Sequence, residues 1–129
     1  MIDYRPTAAK IREDLTIKLS RYFGCTPAEA TTEQMYKATA MTVRDMLTVI
    51  DEEGRISSFT KETEFRAWDL WCRKYVILGM EYFLEICPDE ALKAEIISFI
   101  SLAADYIIAH IGKEEGKIHI NKATKHWLF

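Results

Sequence analysis

Glycine, proline and cysteine are scarce: 5, 3 and 3 among 129 residues. So few turn formers exclude a fold of many short strands and favour long helices with short connectors. Cys25, Cys72 and Cys87 form neither a CxxC motif nor an even framework. They read as small buried or half-buried free thiols in a reducing compartment. No apolar run approaches the ~20 residues of a membrane span, and the opening MIDYRPTAAK lacks a basic-then-apolar leader pattern. Those two absences predict a cytoplasmic chain with no membrane partner. No basic cluster is present either. The net charge is −3, which argues against nucleic acid as partner. There is no HxxxH or HExxH spacing, no GxSxG, no phosphate-binding glycine loop and no Rossmann fingerprint. The expectation is no metal and no cofactor.

What is present is apolar material at helical spacing. Hydrophobic residues make up 49% and charged residues 29% of the chain, enough for one core and a solvated surface. At this length one domain, 1–129, is expected. Pro6 and Thr7 open a first helix with the stripe Ile11, Leu15, Leu19, Tyr22 and Phe23, stopped by Gly24. Thr26-Pro27-Ala28-Glu29 has the capping-box pattern of one short turn. Thr31 or Thr32 then caps a second helix, with Gln34 three residues after Thr31, and its stripe is Met35, Ala38, Thr42, Val43, Met46, Leu47 and Ile50. Asp51-Glu52-Glu53-Gly54 is a turn, and Arg55–Lys61 an extended connector.

The central stretch is Glu64–Ile86. Phe65, Trp68, Trp71, Cys72, Tyr75, Val76, Gly79, Tyr82, Phe83 and Ile86 fall on its wide apolar face, with Arg66, Asp69, Arg73, Lys74, Glu81 and Glu85 on the surface side. Gly79 costs about 1 kcal/mol against Ala, so close approach of another helix is expected there. Pro88 restarts the chain as a first helical residue. The stripe Leu92, Ile96, Phe99, Ile100, Ala103, Tyr106, Ile107 and Ile111 follows, ended by Gly112. Lys117–Asn121 alternates and is at most a short strand or extended arm. The fold expected is all-α: a four-helix antiparallel bundle of two helical hairpins with a short extended C-terminal arm. The terminal Trp127-Leu128-Phe129 should dock on something.

Little in this pattern carries chemistry. His110 sits where an imidazolium is favoured by a helix C-terminus. Asp69, between two tryptophans, is read as pairing with Arg66 or Arg73 more readily than as a general acid. Trp68, Trp71 and Tyr75, with Asp69 and His126, form a candidate sugar platform, weighed against the commoner role of such aromatics as core.

Two resemblances add to this. Tyr36, the run Thr42–Leu47, Asp51–Ser57, then Phe65, Trp68-Asp69-Leu70-Trp71-Cys72-Arg73-Lys74-Tyr75, Ala103–Ile107 and His126-Trp127 resemble an internal segment of bacterial β-L-arabinofuranosidase-type glycoside hydrolases. The match runs from about residue 33 to 127. It implies hairpins of an (α/α) barrel and a carbohydrate partner. The family's catalytic cysteine, zinc-binding cysteines and glutamate lie in segments without counterpart here. Residues 12–47, through Tyr22-Phe23-Gly24, Pro27–Thr31, Glu33-Gln34, Tyr36-Lys37-Ala38 and Val43-Arg44-Asp45, resemble the N-terminal segment of glycogen and starch phosphorylases. Two unrelated families meeting at Val43–Leu47 point to a recombined, designed or generated sequence. The functional expectation is a stable helical domain without catalytic activity of its own. The alternatives are a truncated carbohydrate-active protein that binds sugars, or an interaction module that uses Trp127–Phe129 and an exposed helix face to form homodimers or bind a partner.

Overall fold

The computed structural model describes residues 5–56, 60–66 and 69–120, with the backbone alone over 5–11. The fold is all-α. Its helices are α1 (Arg5–Lys18), α2 (Thr32–Leu47), α3 (Asp69–Ile86) and α4 (Glu90–His110), with a π-helical turn, Leu19–Phe23, continuing α1. The chain divides into two compact units, Met1–Thr48 and Val49–Phe129, each a helical hairpin.

Local chemistry sets the ends of the first hairpin. Gly24 takes the left-handed conformation, φ 63°, and closes the π turn through its N–H to the Leu19 and Ser20 carbonyls. Glu29 then reaches back to the N–H of Thr26 at 3.0 Å and to its hydroxyl at 2.8 Å. Thr31 caps α2 in a reciprocal box: Gln34 N–H donates to its hydroxyl (3.1 Å), and its own N–H donates to Gln34 Oε1 (2.9 Å). Leu19, Ala38 and Val43 are buried. Polar bonds link the two helices: Lys18 Nζ, paired with Asp14 on its own helix at 2.6 Å, reaches Thr42 at 3.1 Å and Asp45 at 3.2 Å on α2.

The second hairpin begins with a turn that only glycine fits. Gly54 has φ 98°, and a Cβ there would run into the backbone carbonyl of Leu102 on α4. Asp51 Oδ1 accepts from the N–H groups of Glu53 and Arg55, both at 2.9 Å. Asp89 caps α4 by accepting from Ala91 and Leu92; helix α4 therefore starts after Pro88 and its cap rather than at the proline. The α4 stripe is as the spacing predicts, with Leu92, Ile96, Phe99, Ala103 and Tyr106 all buried. Burying each of Leu92, Ile96 and Phe99 contributes about 1.5–3 kcal/mol. Beyond α4, the expected arm is reduced among the described residues to one isolated bridge, Ile111 with Ile118. Trp127–Phe129 lie outside the described residues.

Helix α3 differs most from the sequence reading. It starts at Asp69, not Glu64. Residues 60–66 form turns, and Phe65 adopts φ 60°, which a bulky residue takes only when its surroundings hold it there. The buried face of α3 is Asp69, Leu70, Arg73, Met80 and Phe83. Arg73, expected at the surface, is 2% exposed, whereas Tyr75, Tyr82 and Ile86, expected on the buried face, are 52%, 62% and 61% exposed. The helix is apolar on two opposite sides. Periodicity alone does not say which side meets α4.

Candidate functional site

Glu64 is the polar centre of the second unit. Its carboxylate is 5% exposed. Oε1 accepts from Arg55 Nε at 2.9 Å and from Arg73 Nη2, and Oε2 accepts from the Tyr106 hydroxyl at 2.7 Å. Burial pushes the carboxyl pKa up, but the Tyr106 hydroxyl and the two guanidinium groups outweigh it and hold the value below the usual 4.5. The same arrangement raises the Tyr106 phenol to about 12, first through burial and then through the adjacent carboxylate. Phe65 lies against this cluster. The Arg73 guanidinium sits 4.2 Å from its ring centroid, Tyr106 is 5.9 Å away, and His110 stacks at 5.6 Å.

Two contacts hold the strained turn in place. The Phe65 N–H donates to Asp69 Oδ2 at 2.7 Å. His110 Nδ1 donates to the Tyr106 carbonyl at 2.8 Å, fixing its ring beneath Phe65. Asp69 thus serves the backbone four residues before it, and Arg73 pairs with Glu64 instead. Asp69 Oδ1 and Arg73 Nε and Nη1 are buried without a hydrogen-bond partner among the described residues. A cleft of about 600 Å³ opens beside the cluster. Glu64, Phe65, Tyr106 and His110 form part of its wall, with Glu53, Lys61, Glu62, Arg66 and Asp105 among its other lining residues. Lys61 and Glu53 pair across 3.1 Å.

The described sugar-platform candidates, Asp69, Trp71 and Tyr75, do not line this cleft. Asp69 is 2% exposed beneath the Phe65 turn. Trp71 and Tyr75 lie on the outward side of α3, edge to face at 87° with centroids 5.1 Å apart. Such a pair offers one face and one edge rather than a shared flat surface. Lys74 lies over both rings, 4.5 Å from Tyr75 and 5.9 Å from Trp71. Trp68 and His126 lie outside the described residues. Sequence reasoning missed Glu64, Arg73 and Tyr106 as a set. One signal for Arg73 was available: it follows Leu70 by three residues and precedes Met80 by seven, which places a charge on the core stripe.

The outward side of α3 is a second feature. Trp71, Tyr75, Leu78, Tyr82 and Ile86 recur at steps of four and three, opposite the buried face, with Lys74, Glu81 and Glu85 along one edge. Gly79 lies among them and is open: a Cβ there meets nothing within 4 Å among the described residues. The close helix approach expected at Gly79 therefore does not occur among these residues.

No metal-ligating group of three or more His, Cys, Asp or Glu residues occurs among the described residues. No helix there is long and apolar enough to cross a membrane. No known protein family, curated protein or solved structure matches the chain.

Proposed function

We propose that this chain is a non-catalytic helical module whose role is self-association. The observation that carries this reading is the outward side of α3, where Tyr75, Tyr82 and Ile86 stand more than half exposed in one row. Isolated exposed apolar residues are ordinary, but a continuous row of large ones marks an interaction surface.

The chemistry of the cleft supports the non-catalytic half of the reading. An effective general acid or base has a pKa near the working pH and a free lone pair or proton aimed at the substrate. Glu64 has neither, since both oxygens are engaged and its pKa is lowered. The cluster is a structural lock: it ties the residue 60–66 turn to α3 through Arg73 and to α4 through Tyr106.

Light scattering over a concentration series tests the proposal. The expected mass climbs from 15.0 kDa toward twice that value as concentration rises. A mass fixed at one chain up to near-millimolar concentration refutes self-association.

A further inference from the structure

We infer that the partner is a second copy of this chain, docked antiparallel along α3 with the two-fold axis between Leu78 and Gly79. This rests on the self-association proposed above and adds the surface and the register. Three observations on α3 point to it.

The first is sequence symmetry about that point. An antiparallel pairing centred between residues 78 and 79 sets Tyr75 opposite Tyr82 of the second copy, and Trp71 opposite Ile86. The four outer side chains of the row then each meet another large apolar one, and Leu78 falls beside Gly79 at the axis. A parallel pairing would set Tyr75 on Tyr75 and Ile86 on Ile86. It would also carry the charged edges of the two helices to opposite sides of the interface, away from each other's Lys74, Glu81 and Glu85.

The second is charge. The two-fold axis keeps the charged edge of one helix beside the same edge of the other, reversed in direction. Lys74 therefore falls between Glu81 and Glu85 of the second copy, and the symmetry repeats the arrangement. Lys74 spans the Trp71 and Tyr75 rings, so its ammonium is held at the border of the apolar row, facing the carboxylates of the second copy.

The third is Gly79. A mid-helix glycine costs stability, and nothing among the described residues uses the space it leaves. At the crossing point of two helices the missing side chain lets the backbones approach and the flanking tyrosines interdigitate. An unexplained glycine in the middle of an unexplained apolar row is accounted for by one partner helix.

The test combines a blocking variant with a cross-link. Gly79→Glu adds a side chain where the single chain has room, and it places two like charges at the axis. Its circular dichroism should match that of the unmodified chain, while self-association weakens at least tenfold. Leu78→Cys sits near the axis and should give a covalent dimer under mild oxidation. Ile86→Cys should not, because antiparallel pairing separates the two positions by about 22 Å at 1.5 Å per residue. The unmodified chain controls for the three native thiols. If the unmodified chain associates but Gly79→Glu associates equally well, or Ile86→Cys cross-links in place of Leu78→Cys, this surface or register is wrong while self-association stands. If the unmodified chain stays a monomer, both fall.

Discussion

Replacing Glu64 by Gln keeps the shape of the cluster and removes the anion that Arg55, Arg73 and Tyr106 share. The Tyr106 hydroxyl can still donate to the amide oxygen, and Arg55, with its side chain 18% exposed, can turn toward water. Arg73 cannot, because its side chain is 2% exposed and two of its nitrogens already lack partners among the described residues. The loss therefore falls on one uncompensated buried guanidinium. Breaking a buried pair from one side costs about 3–5 kcal/mol. The lower end applies here, about 3 kcal/mol, since the other two donors keep or find partners. For a unit of this size that lowers Tm by about 12–24 °C, at about 4–8 °C per kcal/mol. Urea unfolding followed by tryptophan fluorescence is the right assay, because residues 68, 71 and 127 all lie in the second unit. The midpoint should fall with an unchanged slope. Adding Arg73→Met to the Gln variant should recover much of the loss, because a neutral pair of similar volume leaves no stranded charge. A loss under about 1 kcal/mol for Glu64→Gln, or no recovery in the double variant, would refute the lock.

Other consequences are checked more quickly. The lowered Glu64 pKa means that the unfolded chain takes up its proton first; Glu64 stabilises fully above about pH 4.5, and that contribution disappears as pH falls through the lower folded value. The stability gap between the unmodified chain and Glu64→Gln should accordingly narrow in acid, measured by urea midpoints across that range. Tyr106 has the opposite sign: its contribution is whole below pH 10 and lost as pH rises toward about 12. Tyr106→Phe should flatten that part of the alkaline stability profile. Gly54→Ala should cost about 2 kcal/mol or more, because the added carbon combines a strained φ with a collision against Leu102. Gly24→Ala, strained but in open space, should cost less in the same denaturation series. Thr31→Ala should lower helix stability by about 1 kcal/mol through loss of the α2 cap, read from thermal circular dichroism.

The parts of the fold legible in the sequence are those decided within a few residues. The Thr31–Gln34 box, the Thr26–Glu29 turn, the Gly24 stop and the α4 stripe all depend on neighbours three or four positions away, and each is found where the pattern places it. The start of α3 was not legible, because Phe65 leaves helical geometry for reasons that lie elsewhere: Arg73 is nine residues from Glu64, and Tyr106 is forty-two. Arg73 on a core stripe looks like a surface charge until its partner arrives from a turn. Helix α3 carries apolar rows on both sides, and only the tertiary fold shows that Leu70, Met80 and Phe83 face inward. The cleft wall shares that origin, since Phe65 and His110 meet across the same long separation.

The most direct test is sedimentation equilibrium of the unmodified chain beside Gly79→Glu, from micromolar to near-millimolar concentration. A reversible monomer–dimer equilibrium in the first, and a single-chain mass of 15.0 kDa throughout in the second, is the result expected if α3 is the interface. A single-chain mass for both, or the same dimer for both, contradicts it.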